Sequence, residues 1–306
     1  MNLPIPDFPL PAELSEAPLP QASALRPVFR IQHGTAQPTE DEVIEEVPVA
    51  LVYNGISHAV MLASPTDLAD FALGFSLAEG ILEHPRQLYD LEVSPGCDGI
   101  AIEMEIAPGP FMALKERRRS LAGRTGCGLC GVESLAGVTL LPAGPRLAPD
   151  WHLPLAAIDK ALRQLPDHQT LRQQTGSAHG AAWVDLNGDI RCLREDVGRH
   201  NALDKLIGAL AAQATPCAPG FALITSRASY EMVQKAAAAG IAALIAVSAP
   251  TALAIRQAEA AGILLAGFAR TNQLVVYSHP ERLDYAGPDD AGHPARLQSM
   301  PPERSQ

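Results

Sequence analysis

The chain has 306 residues, enough for one large domain or two modest ones with a substantial core. Hydrophobic residues make up 47% and charged residues 19%, so the bulk is expected to fold. Lys+Arg 23 against Asp+Glu 34 gives a formal net charge of −11, which disfavours general binding to a DNA or RNA backbone because neutralising phosphates needs a basic excess.

Residues 1–40 are rich in Pro, Ala and Glu without a helical or strand period and read as a disordered tail. They carry neither a positive leader nor a continuous apolar stretch, so the expectation is a cytoplasmic chain without membrane insertion. Asn54-Gly55 lies between apolar runs and predicts a β-hairpin, with Val47, Val49, Leu51 and Tyr53 on one face. Thr66 or Asp67 can cap a helix running through Leu68, Phe71 and Phe75 to Gly80. A strand at Ile100–Ile106 closes a small α/β domain over 41–110.

Residues 111–150 hold a basic run, Lys115 to Arg119 with Arg124, followed by Gly126-Cys127-Gly128-Leu129-Cys130-Gly131. The basic run by itself is a solvated helix face. The two thiols admit three readings: a metal half-site, which needs a second ligand pair; a thioredoxin-like redox pair, which belongs between a strand and a helix; or a nucleophile, which needs positive neighbours to populate the thiolate. The third fits best. The same residues satisfy G-x-G-x-x-G, but a charged segment rather than an apolar strand precedes them. Five cysteines, an odd number, argue against a disulfide framework.

From Trp151 a helix, Leu155 to Leu165, is expected to end before Pro166, and Asn187-Gly188 marks a second hairpin. Apolar runs at Phe221–Thr225, Ile241–Val247 and Ile263–Gly267 alternate with alanine-rich helical segments, a β-α-β-α-β pattern that predicts a parallel sheet covered by helices over 151–286. The uncharged stretch Ala236–Ile255 is long enough to span a bilayer, but Gly240, Ser248, Pro250 and Thr251 break it, and it reads as a buried strand between helices. Residues 287–306 resemble the first forty in composition and read as a second tail.

Ligands of such sheets bind beyond the carboxyl ends of the strands. Here those ends carry Ser226-Arg227, Ser248 and Phe268-Ala269-Arg270, which suits a phosphate-bearing ligand, against the plainer reading that polar loops merely cap helices. A second polar cluster runs from Glu195 to Lys205 and includes Arg199 and His200. It lies where ligand groups are expected, although capping and helix-surface ion pairs account for individual charges equally well. His179 is a candidate acid, base or ligand, or a structural histidine.

Several of these segments resemble the formate dehydrogenase accessory sulfurtransferase family, often called FdhD. The resemblance covers about residues 40 to 285. It rests on Gly123 to Gly131, Asp196 to Lys205, Ser229 to Lys235, Ser248 to Thr251 and Gly267 to Arg270. It departs from the family's usual pattern at Thr175-Gly176-Ser177-Ala178-His179 and at Thr225-Ser226-Arg227. The resemblance implies a cytoplasmic homodimer that takes persulfide sulfur from a cysteine desulfurase and passes it to the bis-guanine-dinucleotide molybdenum or tungsten cofactor, which formate dehydrogenase needs to become active. It implies a C-terminal domain similar to cytidine deaminases. It places the persulfide on Cys127, with Cys130 as the second motif cysteine, and the cofactor on Phe268, Ala269, Arg270, Thr271, Asn272 and Gln273. Arg227, Ser248, Arg199 and His200 join them on the charge argument above, and no metal ligand set is assigned. Two rivals are a non-catalytic chaperone for the cofactor and a zinc-dependent deaminase-like hydrolase. The second lacks H-x-E and P-C-x-x-C, since Gly180-Ala181 follow His179 and Gly126 precedes Cys127.

Overall fold

The structure is a computed structural model that describes residues 18–122, 151–213, 217–285 and 295–296. The N-terminal part opens with strands β1 (Ser23–Gln32) and β2 (Thr35–Ile44), paired as an antiparallel ribbon. This corrects the expectation of a tail through residue 40. His33 and Gly34 both take positive φ, the requirement of a two-residue hairpin turn. Pro27 and Pro38 are tolerated because each strand of a two-stranded ribbon is an edge, where a missing N–H costs nothing to a neighbour.

Next come β3 (Val47–Tyr53), β4 (Ile56–Ala63), α1 (Leu68–Ala78), β5 (Leu88–Gly96), β6 (Gly99–Ile106) and α2 (Pro108–Ala122), whose sequence includes Lys115 to Arg119 of the basic run, while Arg124 lies outside the described residues. The sheet order is β4-β3-β6-β5. Val49, Leu51 and Tyr53 of β3 and Ile100, Ile102 and Met104 of β6 share a core with Phe71 and Phe75 of α1. The predicted hairpin turns at Asn54-Gly55, both at positive φ. Asp67 caps α1 by position alone; its side chain makes no cap hydrogen bond and lies 3.4 Å from Arg194.

The C-terminal part comprises β7 (Leu153–Pro154), α3 (Leu155–His168), α4 (Thr170–Thr175), β8 (His179–Asp185), β9 (Ile190–Asp196), α5 (Arg199–Ala211), β10 (Gly220–Ile224), α6 (Tyr230–Ala238), β11 (Ala243–Ala246), α7 (Ala252–Ala261), β12 (Leu264–Arg270), β13 (Gln273–Ser278), β14 (Leu283–Tyr285) and β15 (Ala295–Arg296). Helix α3 passes through Pro166 rather than stopping before it. The proline sits in the last turn, where only one intrahelical bond is lost.

The main sheet runs β13-β12-β11-β10-β8-β9. Only β10-β11 and β11-β12 are parallel, and the other three pairings are antiparallel. The sheet is therefore mixed, not mainly parallel. Hairpin strands β8/β9 and β13 extend each side of the β-α-β-α-β core because short turns can only reverse the chain. Alternation along β10 sorts its side chains: Phe221 and Leu223 pack under α3, while Ala222 and Ile224 pack under α5, α6 and α7. The uncharged Ala236–Ile255 stretch becomes the end of α6, buried β11 and the start of α7. No helix among the described residues is long and apolar enough to cross a membrane.

Helices α1 and α5 join the two parts. A Cβ on Gly74 would lie 1.7 Å from the Asp204 carbonyl oxygen, and one on Gly208 would lie 1.8 Å from that of Asp70. Only glycine allows this backbone contact.

Candidate functional site

The three parallel strands end side by side, and their following loops are laced by main-chain hydrogen bonds. Val247 N–H donates to Ile224, Ala228 N–H to Ala249, Thr251 N–H to Ala228, and Phe268 N–H to Ser248. The lacing brings Arg227, Ser248 and Phe268 onto one edge of the sheet. Gly267 permits the last contact, since a Cβ there would lie 2.8 Å from Pro250 Cδ. Phe268 takes a left-handed φ of 51° at a break in the β12-β13 register and stands 45% exposed. Arg270 Nη1 donates to the carbonyls of Val247 (2.5 Å) and Ala269 (2.8 Å), so its guanidinium is held across the β11 and β12 ends. Thr271 and Asn272 form the turn into β13, with Asn272 N–H donating to Asp159 Oδ1 at 2.8 Å. Gln273 pairs with Arg270 across that turn. Ala269 is buried.

The polar cluster from Glu195 to Lys205 divides between two jobs. Asp196 and Lys205 are wholly buried and paired at 2.7 Å. Asp196 also accepts from the N–H groups of Ser64 and Gly198 and from Asn201 Nδ2, and Lys205 donates to the carbonyls of Ser64 and Glu195. Asn201 Nδ2 reaches the Leu62 carbonyl. Asp204 pairs with Lys235, which reaches Glu79. These groups bind the C-terminal part to the N-terminal sheet and α1, so the expectation of ligand groups along the whole cluster is corrected for Asp196, Asn201, Asp204 and Lys205. Their buried charges find partners within the chain, as burial requires.

Arg199 and His200 start α5 and face the other way, toward the strand ends. His200 Nε2 lies 2.7 Å from Glu231 of α6, without the alignment of a hydrogen bond. Burial holds His200 below the ordinary histidine range; Glu231 opposes this, and the nearby charges of Arg199, Lys235 and Arg227 add to it. His179 is lowered likewise, by burial and then by Arg199 and Arg172, against Asp196. Burial and the neighbouring arginines thus disfavour the charged form of both imidazoles. Arg199 Nε, Ser229 Oγ and the Tyr230 hydroxyl are buried there without a hydrogen-bond partner among the described residues.

Beside Arg270 opens a cleft of about 240 Å³, lined by Leu162, Gln169, Arg172, Thr225, Val247 and Ala269 among others. Glu195 fixes its far wall by accepting from the N–H groups of Leu171 and Arg172 at 2.8 and 2.9 Å. Gln169 and Arg172 escaped the sequence reading because they lie in a polar stretch with no motif; only the fold brings them into one cleft with Arg270. Cys127 and Cys130 lie outside the described residues, as does the G-x-G-x-x-G match. The described cysteines, Cys97, Cys192 and Cys217, are free. Among the described residues no group of three or more His, Cys, Asp and Glu is placed to hold a metal ion.

The FdhD/NarQ family model matches residues 44–284. The chain is 56% identical over 275 residues to the sulfur carrier protein FdhD of Cupriavidus necator, covering 90% of this chain and 94% of that one. It is 52% identical over 276 residues to the protein of the same name from Variovorax paradoxus, covering 89% and 97%. Among solved structures, a protein described as a formate dehydrogenase accessory protein from Desulfotalea psychrophila superposes with a TM-score of 0.67 at 24% identity, covering 87% of this chain and all of that one, which shows a shared fold. By its sequence across nearly its whole described length, the chain belongs to the FdhD/NarQ family.

Proposed function

We propose that this protein is a sulfur carrier in formate dehydrogenase maturation, with Cys127 as the carrier thiol. The observation that carries the reading is the 56% identity, over nine-tenths of the chain, to a protein named sulfur carrier protein FdhD. The glycine-flanked Cys127-Gly128-Leu129-Cys130 supplies the chemistry. The Cys127 thiolate attacks the outer sulfur of a persulfide on a cysteine desulfurase, a new S–S bond forms, and the desulfurase thiolate leaves. Glycines on both sides allow the partner's backbone a close approach. Cys130 assists or resolves the persulfide.

The acceptor is the bis-guanine-dinucleotide molybdenum or tungsten cofactor, bound as substrate at the strand ends. Arg227, Arg270, Arg172 and Arg199 supply the positive charge its pyrophosphates require. The loop carrying Ser248 and the segment Phe268 to Gln273 flank the same edge. The protein works in the cytoplasm as a homodimer, with the desulfurase and formate dehydrogenase as partners.

The test is mass spectrometry after incubation with a cysteine desulfurase and cysteine. A gain of one sulfur atom mapped to the Cys127 peptide, absent in Cys127→Ser while guanosine diphosphate binding persists, is the expected result. Formate dehydrogenase activation by the Cys127→Ser/Cys130→Ser variant at the wild-type level would overturn the reading in favour of a cofactor chaperone.

A further inference from the structure

The charge of the chain is concentrated in its N-terminal part. Residues 18–106 hold 14 Asp and Glu against 3 Lys and Arg, the same excess of 11 that the whole chain carries, so the remaining residues balance. Four of these carboxylates share one face of the sheet β4-β3-β6-β5. Leu51 and Tyr53 of β3 and Ile102 and Met104 of β6 point into the core with α1, so alternation turns Ala50 and Val52, and Ala101, Glu103 and Glu105, to the opposite face. On that face Val60 and Leu62 of β4 are 58% and 55% exposed. Val60 stands opposite Ala50, and Ala50 opposite Ala101; farther along, Glu103 stands opposite Glu92, and Glu105 opposite Asp90. The face therefore has an apolar half with short side chains at its centre and an acidic half.

Like charges directly opposite on neighbouring strands destabilise a sheet. Among the described residues none of the four carboxylates forms an ion pair that would relieve this. Charge on an edge strand guards it against pairing with another chain, which accounts for Asp90 and Glu92 on β5. It does not account for Glu103 and Glu105, because β6 lies inside the sheet between β3 and β5. A cleft of about 190 Å³ opens between the four carboxylates and the Asn54-Gly55 turn, room for the heads of basic side chains and not for a folded element.

We propose that this face docks the protein that donates the sulfur, which meets it with lysines and arginines beside an apolar contact. Cations set among the carboxylates turn their mutual repulsion into attraction, and Val60 and Leu62 supply the apolar contact. A second copy of this chain does not fit: a two-fold pairing through this face would set carboxylates against carboxylates. The donor fits by chain order, since β6 leads into α2 and Cys127 follows the end of α2 at Ala122 by five residues, whereas the groups read as holding the acceptor gather in the C-terminal part. The inference rests on the reading of Cys127 as carrier thiol and adds where its donor is held.

The experiment measures sulfur transfer from a cysteine desulfurase with cysteine to the full chain, read as the one-sulfur mass gain at Cys127 against carrier concentration, for wild type, Glu103→Lys/Glu105→Lys and Val60→Ser/Leu62→Ser, with thermal melting of each. The charge reversal turns both like pairs into opposite pairs, so its melting temperature should hold or rise. Its half-saturating concentration should rise by on the order of tenfold or more, and the serine variant's should rise as well. Added salt should raise the wild-type value and not that of the reversed variant. Loading from inorganic polysulfide, in which the Cys127 thiolate takes a terminal sulfur and the shortened polysulfide leaves, needs no docking and should be equal in all three. A merely structural role would instead lower melting and slow loading from both sources. Wild-type half-saturation in the reversed variant, or a loss of transfer that accompanies a change of oligomeric state in sedimentation, overturns the docking face and leaves the carrier reading standing. A wild-type chain that gains no sulfur from the desulfurase overturns both.

Discussion

Replacing Lys205 by methionine tests whether the buried polar cluster binds the two parts of the chain. The Lys205 ammonium is wholly buried and donates to Asp196 Oδ2 at 2.7 Å, to the Ser64 carbonyl at 3.0 Å, and to Thr66 Oγ1 and the Glu195 carbonyl at 3.3 Å. Methionine fills the space of the stem but withdraws the charge. Removing one partner of a buried ion pair costs about 3–5 kcal/mol, because the other charge is left uncompensated. Asp196 would retain the N–H groups of Ser64 and Gly198 and the Asn201 amide, which places the expected loss toward the lower end, about 3–4 kcal/mol. Urea denaturation followed by circular dichroism measures it, and melting should fall by on the order of 10 °C. Asp196→Asn and the double variant complete a cycle. Because the two groups share one network, the double variant should cost at least about 1 kcal/mol less than the sum of the singles. A loss below about 1 kcal/mol for Lys205→Met, or strictly additive costs, would refute the assignment of this pair as the joint.

Three further outcomes follow from the same geometry. Gly74→Ala and Gly208→Ala each drive a methyl into the backbone of the facing helix and should destabilise by at least about 2–3 kcal/mol, measured by urea midpoints; neutrality would show that α1 and α5 do not touch as described. Burial pushes the Asp204 carboxyl up to about 6, with Lys235 pulling it down. A folded value raised above the unfolded one means that its contribution to stability is present below about pH 4 and lost as pH rises through about 6. Relative to Asp204→Asn, the wild type should therefore lose on the order of 2–3 kcal/mol between pH 4 and 7, and a constant difference would contradict this. Arg270→Ala should weaken guanosine diphosphate by about 1.5–3 kcal/mol in calorimetry, the worth of a hydrogen bond to a charged group; unchanged affinity would remove Arg270 from the site.

Periodicity and turn chemistry made much of the fold legible in the sequence. Asn54-Gly55 and Asn187-Gly188 mark hairpins because few residues tolerate the backbone those turns need. The alternation of apolar runs with alanine-rich segments between Phe221 and Gly267 gave three strands and two helices in their places. The ribbon Ser23–Ile44 was missed because prolines argue against a strand in general, whereas here every strand is an edge and their cost disappears. The mixed character of the main sheet was missed because apolar runs reveal that a strand is buried, not which way its neighbour points.

The candidate site divides along the same line. Local sequence alone drew attention to Arg227, Ser248 and the segment from Phe268 to Arg270, because polar and basic residues just after buried strands must sit at the sheet's carboxyl edge; Thr271, Asn272 and Gln273 were added by the family resemblance. It also singled out Glu195 to Lys205, and could not sort that cluster, since a dense run of charges looks the same whether it meets a ligand or another part of the chain. Only the tertiary structure turned Asp196 and Lys205 inward against Ser64 and left Arg199 and His200 facing the strand ends. Only it carried Gln169 and Arg172 to Arg270, some hundred residues away in sequence. Covalent order fixes short-range backbone geometry and apolar period, but the partner of a buried charge is chosen by packing between distant segments, and that choice decides which polar groups are left over for function.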